Sequence, residues 1–179
     1  YPHYDSHVGR MSGMLPGLFE NGGVYNHCNA FKIMADCRLG RAEQALSTLH
    51  KMIPDSKDNP VSITGAEPYL FVNCWCMHPS FFTRIWFGWF TGTSAWALRG
   101  FYEGICGLRR EYGGLRVQPC IPGAWKELTL TRTFRGCRYH IHISNTGSGK
   151  PEVTVDGNRL ADTLLPVLND GQIHEVVLR

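Results

Sequence analysis

Three stretches of the chain hold residue types that core packing does not call for, and their shared chemistry is that of anions and sugars. From Pro16 to Asn29, polar side chains (Glu20, Asn21, Asn26, His27) and the pair Gly22-Gly23 cluster just before a predicted helix. Paired glycines permit strained backbone, and a helix start offers free N–H groups and a positive dipole end to an anion. The same residues also suit a glycine-rich loop with Asn26 or Asn29 as N-cap. From Glu67 to Trp75, a carboxylate, the Asn73 amide and the aromatics Tyr69, Phe71 and Trp75 stand close together. That mixture accepts bonds from sugar hydroxyls and stacks on pyranose faces; it equally describes a buried aromatic segment with satisfied polar groups. From Trp86 to Trp96, Thr91-Gly92-Thr93 stands at the predicted start of another helix. Hydroxyls and N–H groups there form an anion nest, or a single threonine serves as an ordinary cap. It is not a P-loop, because no lysine follows and the GxxxxGK spacing is absent.

The other reactive side chains read blandly. His140 and His142 alternate on one predicted strand face without the further ligands a metal needs, and His3 and His7 also lack partners, so no metal is expected. Seven cysteines form no CxxC pair, and Cys74 and Cys76 stand one residue apart. Cys37, Cys106 and Cys137 fall in apolar runs as buried thiols, which favours a reducing, cytoplasmic setting over a disulfide scaffold.

The elements that position these residues change character near residue 112. Before it the period is helical. Ala42, Ala45, Leu46, Leu49, Met52 and Ile53 form one stripe that ends before Pro54. Phe31, Ile33, Met34, Cys37 and Leu39 predict a shorter preceding helix, with Gly40 as the break of a helical hairpin. A third helix is expected from Thr93 to Leu108, with Gly100 and Gly104 allowing close packing, while 67–76 is ambiguous between helix and extended chain. After Gly113 the period drops to two. Leu128 to Phe134 and Tyr139 to Ile143 alternate around Arg135-Gly136-Cys137, Val153 and Val155 precede the turn signal Asp156-Gly157, and Ile173 to Leu178 forms a last strand. Pro119 to Trp125 connects the two parts, and Thr146 to Lys150 reads as a loop.

The expected architecture is therefore helices, then a small antiparallel sheet layer, with residues 1–112 and 113–179 as the two domains. Composition agrees with a globular body: 43% hydrophobic, 12% aromatic and 18% charged residues. A net charge of +3 gives no footing for nucleic acid or an anionic membrane, and the longest apolar stretch, Phe81 to Leu98, is too interrupted to span one. No signal peptide is evident at the start, and the missing initial Met suggests sequence upstream.

The order of the blocks carries a resemblance. Glu20-Asn21-Gly22-Gly23-Val24-Tyr25-Asn26-His27 comes first, then Ala35-Asp36-Cys37-Arg38-Leu39-Gly40-Arg41 and Glu67-Pro68-Tyr69. Trp89 to Trp96, Gly104 to Leu108 and Gly114 to Pro122 follow. Over residues 9 to 145 this resembles the closing third of the inverting glycoside phosphorylases that act on cellobiose, cellodextrins and chitobiose. The resemblance implies the last helices of an (α/α)6 barrel followed by a small carboxy-terminal β layer. It implies that inorganic phosphate attacks the anomeric carbon of a β-linked disaccharide or oligosaccharide while an aspartic acid protonates the leaving oxygen.

By position, His27, Thr91 and Gly92 match phosphate-binding residues, Glu20 an acceptor-sugar contact and Asn73 a donor-sugar contact. Many members have Gln where Asn73 stands, which leaves the donor open. Phe19 occupies a place where cellobiose phosphorylases tend to have Lys, which turns the expectation away from plain glucose as acceptor. The family's general acid lies upstream of the Glu-Asn-Gly block, so no catalytic aspartate is expected here; Asp5 and Asp36 are not candidates, and the isolated chain is expected to be inactive. No cofactor is implied, and the implied partners are phosphate, the sugar, an upstream remainder and a second subunit of a homodimer. Two other readings stand beside this one: a glucan synthase with a phosphorylase-like domain, and a degenerate carbohydrate-binding module without turnover. A structural β domain with a helical lead accounts only for residues 113 to 179.

Overall fold

A computed structural model describes residues 1–54, 56–147 and 151–179, which leaves Ser148 to Lys150 of the expected loop outside the described residues. The chain divides into a unit of Tyr1–Asp36 with Gln44–Phe101 and a unit of Cys37–Glu43 with Tyr102–Arg179.

In the first unit, strand β1 (Val24–Tyr25) runs directly into helix α1 (Asn26–Arg38), and α2 (Ala42–Met52) follows. Ala45, Leu49 and Met52 of α2 are buried at the expected helical spacing. On α1 the buried face is Asn26, Ala30, Ile33 and Asp36, whereas Phe31 and Leu39 lie exposed. The stripe differs from the apolar one because two polar residues have partners inside. Asp36 takes the ammonium of Lys32 at 2.5 Å, and that ammonium also reaches Thr48 Oγ1 on α2 at 2.9 Å. A single turn, α3 (Val61–Thr64), leads to an extended segment, which settles the ambiguous stretch as non-helical.

Strands β2 (Cys74–Trp75) and β3 (Ile85–Trp86) join β1 in an antiparallel sheet of order β1-β2-β3, an element that two-residue strands do not announce in sequence. Ala66, Val72 and Trp75 form a small core beside it, with Ile85 packed against them. Helix α4 (Thr93–Arg99) continues as π-helical turns over Gly100–Ile105. A Cβ at Gly100 would stand 3.2 Å from Ile33 Cγ2, so the glycine does permit the close approach of α4 to α1.

The second unit begins its strands earlier than the period predicted. Gly107 ends the helical run, and β4 (Leu108–Glu111) turns back as β5 (Gly114–Val117), with β10 (Leu164–Leu165) alongside β5. The larger sheet contains β6 (Glu127–Phe134), β7 (Cys137–Ser144), β8 (Val153–Val155), β9 (Asn158–Arg159) and β11 (Ile173–Leu178) in the order β6-β7-β11-β8-β9. Arg135 and Gly136 both take positive φ between β6 and β7, and Asp156 and Gly157 do so between β8 and β9. Those are the backbones of two-residue hairpins whose twist matches their strands.

The expected all-antiparallel layer is corrected in one respect: β11 pairs parallel with β7, from Ile173↔Arg138 to Leu178↔Ile143. The final strand enters between β7 and β8, and antiparallel pairing with β8 sets its direction along β7. Tyr139, Ile141, Ile143, Val153, Val176 and Leu178 fill the inner face. On the outer face, His140 and His142 both meet the Glu175 carboxylate, at 3.1 and 3.4 Å. His174 points inward and is held between Asp156, at 2.7 Å, and Asp170, at 3.1 Å. All seven cysteines are free thiols, and burial pushes Cys106 up to about 12.

Candidate functional site

The small sheet of the first unit brings three distant segments to one place. Asn26, the first residue of α1, is fully buried and fastens that helix to the segment that leads into β2. Its backbone N–H donates to Asn73 O at 2.9 Å and its Nδ2 donates to Val72 O at 3.0 Å. Its Oδ1 accepts from Asn29 Nδ2 at 3.1 Å, so Asn26 works as a staple between segments as well as a helix start. Asn73 in turn donates its backbone N–H to Phe87 O at 2.9 Å, just beyond β3. Residues 26, 73 and 87 are thereby joined by main-chain bonds, and the Asn26 side chain adds Val72.

His27 follows the staple, and its ring lies over Gly92: a Cβ there would stand 2.8 Å from Nε2. The absence of a side chain at position 92 is what lets the imidazole approach the backbone this closely. Thr91 Oγ1 donates to Asn73 Oδ1 at 3.0 Å, accepts the Thr93 backbone N–H at 3.1 Å and lies 2.8 Å from Thr93 Oγ1. Gly92 is the N-cap residue of α4 and has no side chain to cap it, while the first N–H of the helix is taken by the Thr91 hydroxyl. His27, Asn73, Thr91 and Gly92 therefore form one group, assembled from residues up to 65 positions apart in the chain (92 − 27).

Glu20 is exposed on the loop before β1 and is linked to that strand through Tyr25. Burial first, then the Glu20 charge and their mutual hydrogen bond, push the Tyr25 hydroxyl up to about 12. Glu20 also adds to the rise of the Cys74 thiol to about 11, behind burial and Cys76, which sets the carboxylate near β2 as well. Among the described residues no hydrogen bond joins Glu20 to His27, Asn73, Thr91 or Gly92.

The aromatic stretch divides in two. Trp75 is buried, whereas Tyr69, Trp89 and Phe90 are 75%, 65% and 89% exposed, so their ring faces are open to a ligand. Trp89 Nε1 donates to Glu67 Oε1 at 3.3 Å, and its ring stands 6.2 Å from that of Tyr69.

Sequence reasoning missed Tyr25, Thr93 as a structural partner, and Phe87 as the partner of Phe19. Phe19 and Phe87 have φ of 43° and 56°, a region costly for a side chain of that size. Their rings meet at 5.4 Å, and Phe19 also meets Trp86 at 5.5 Å. Strain of this kind has no signature in residue type, though Thr93 was visible in the Thr-Gly-Thr block. Among the described residues no group of three or more His, Cys, Asp or Glu side chains could hold a metal ion, and no helix is long and apolar enough to cross a membrane.

Comparison with known proteins places these residues in a family context. The profile of the glycosyl hydrolase 94 superfamily catalytic domain matches residues 1–107, and that of the glycosyl hydrolase family 65 C-terminal domain matches 108–150. The chain is 37% identical to a solabiose phosphorylase of Paenibacillus borealis over 98% of its own length and 23% of the relative's. It is 37% identical to a 3-O-beta-D-glucopyranosyl-beta-D-glucuronide phosphorylase of the same organism, over 88% of this chain and 21% of that one. It is 35% identical to a cellobionic acid phosphorylase of Neurospora crassa, over 89% and 20%. The chain thus spans about a fifth of the length of these curated relatives.

Proposed function

The chain belongs to the glycosyl hydrolase 94 superfamily, and from that premise we propose that it is the carboxy-terminal part of an inverting glycoside phosphorylase. Residues 1–112 then supply the last helices of an (α/α)6 barrel and residues 113–179 a small β domain. Inorganic phosphate is the co-substrate and no other cofactor takes part.

The observation that carries this reading is the grouping of the His27 ring, the Gly92 backbone and the Thr91 hydroxyl. An imidazole, a main-chain segment without a side chain and a hydroxyl suit a tetrahedral oxyanion that must be held in line with an anomeric carbon. One phosphate oxygen forms the new bond to that carbon as the bond to the leaving oxygen breaks. The electron pair leaves with that oxygen, and an upstream aspartic acid supplies its proton. A β-glycoside therefore gives an α-configured sugar 1-phosphate and a free acceptor sugar. Asn73 contacts the donor sugar, through the same amide that faces Thr91, and Glu20 contacts the acceptor with the two lone-pair-rich oxygens of its carboxylate.

The acceptor is a sugar other than plain glucose, or a sugar acid. Phe19 beside Glu20 supports this, because its ring packs on Trp86 and Phe87 and offers no charge to a hydroxyl. The names of two relatives, a glucuronide and a cellobionic acid phosphorylase, point the same way. The working protein is a cytoplasmic homodimer that contains the upstream remainder.

The test is to incubate the full polypeptide with β-linked disaccharides, sugar-acid ones included, with and without inorganic phosphate, and to follow phosphorus NMR. An α sugar 1-phosphate that forms only with phosphate is the expected result. Hydrolysis independent of phosphate contradicts the reading, and sugar binding without turnover replaces it with a binding module.

A further inference from the structure

We propose that Thr93 is a positioning residue for phosphate: its hydroxyl and its backbone N–H together fill the lone pairs of Thr91 Oγ1 and leave that oxygen able only to donate. The inference rests on the reading of His27, Thr91 and Gly92 as phosphate contacts and adds a residue that does not itself touch the anion.

A threonine hydroxyl has one proton and two acceptor positions. The proton of Thr91 goes to Asn73 Oδ1, at 3.0 Å. One lone pair takes the Thr93 N–H, at 3.1 Å. The remaining contact of Thr91 Oγ1, at 2.8 Å, is with Thr93 Oγ1, and since the Thr91 proton is already committed, the Thr93 hydroxyl is its donor. Thr93 is fully buried, so no solvent competes for that proton.

The consequence concerns the phosphate. An oxyanion repels lone pairs and attracts protons, so a hydroxyl saturated as an acceptor presents it with a donor alone. When phosphate binds, the Thr91 proton turns from Asn73 Oδ1 to a phosphate oxygen, and the amide oxygen is released to a sugar hydroxyl. Without the Thr93 hydroxyl, one lone pair of the Thr91 oxygen is free, and the hydroxyl is no longer limited to donating.

Thr93→Val keeps the shape and the backbone N–H while removing only the hydroxyl. In the full polypeptide it is expected to raise the KM for phosphate about tenfold and to leave the disaccharide KM within about twofold. Thr93→Ser is expected to restore the phosphate KM to within about twofold of the original. Thr91→Ala is the control. If it raises the phosphate KM but Thr93→Val does not, the inference falls and the phosphate reading stands. If Thr91→Ala leaves the phosphate KM unchanged, the phosphate reading falls and the inference with it. A loss of kcat and both KM values in step with a lower melting temperature means that Thr93 serves only the fold, and overturns the inference. Should Thr93→Val not fold, Thr93→Ala carries the same comparison, and a phosphate KM equal to the original then overturns it.

Discussion

At the scale of single residues, the site depends on what is missing from Gly92 as much as on what is present at His27. The backbone of Gly92 has an ordinary φ of −81°, so alanine is tolerated there conformationally. The added Cβ would nevertheless stand 2.8 Å from His27 Nε2, and the ring must move. A displacement of this size at a positioning group costs on the order of tenfold to a hundredfold in turnover. Gly92→Ala is therefore predicted to lower kcat/KM for phosphate by that amount while the melting temperature holds. Steady-state kinetics at varied phosphate check this, and an unchanged kcat/KM would show that the ring has no task at that spot.

At the scale of elements, His174 shows how the second unit is tied together. Asp156, in the β8–β9 turn, and Asp170, in the approach to β11, hold its ring from both sides. The hydrogen bonds that its ring donates to Asp156 and then to Asp170 raise the imidazole above its usual 6.5. Asp156 is held below its ordinary 3.8 chiefly by His174, and Asp170 chiefly by the Gln172 N–H and then by His174. The raised imidazolium stabilises in full below its unfolded value, and that contribution is lost as pH rises through the folded one. The lowered carboxylates stabilise above their unfolded value and lose that contribution as pH falls through the folded one. Stability from this cluster is thus predicted to peak between about pH 4 and pH 6.5. His174→Gln should remove the decline on the alkaline side, as melting temperature against pH would reveal; coincident profiles for the two proteins would count against the cluster.

Much of this level was legible in the residues. The hairpin turns at Arg135-Gly136 and Asp156-Gly157 lie where turn chemistry put them, and α2 follows its apolar stripe because that stripe alone decides which face is buried. The α1 face was not legible, since Asn26 and Asp36 are buried by virtue of partners far along the chain or on the next turn. The sheet β1-β2-β3 was also hidden: strands of two residues have no period, and their pairing is long-range. The parallel entry of β11 beside β7 escaped for a related reason, because alternation fixes which face a strand buries but not which neighbour it joins. Of the candidate site, the residue types and their order were readable; the hydrogen bonds that run from Asn73 through Thr91 to Thr93 were not.

At the scale of the whole molecule, the chain covers about a fifth of the length of its relatives, and the proposed function makes it one part of an active site. In the reading proposed here that part holds phosphate and contacts the sugars on either side of the scissile bond, while the proton donor comes from elsewhere in the polypeptide. Such a division predicts that damage in this chain falls on phosphate first. The most direct measurement is phosphate saturation of the full polypeptide and its His27→Ala variant at fixed, saturating disaccharide. Loss of a hydrogen bond to a charged group predicts a phosphate KM higher by about tenfold or more, with the disaccharide KM unmoved. A phosphate KM equal in the two proteins would contradict the account, because His27 would then not be holding the attacking anion.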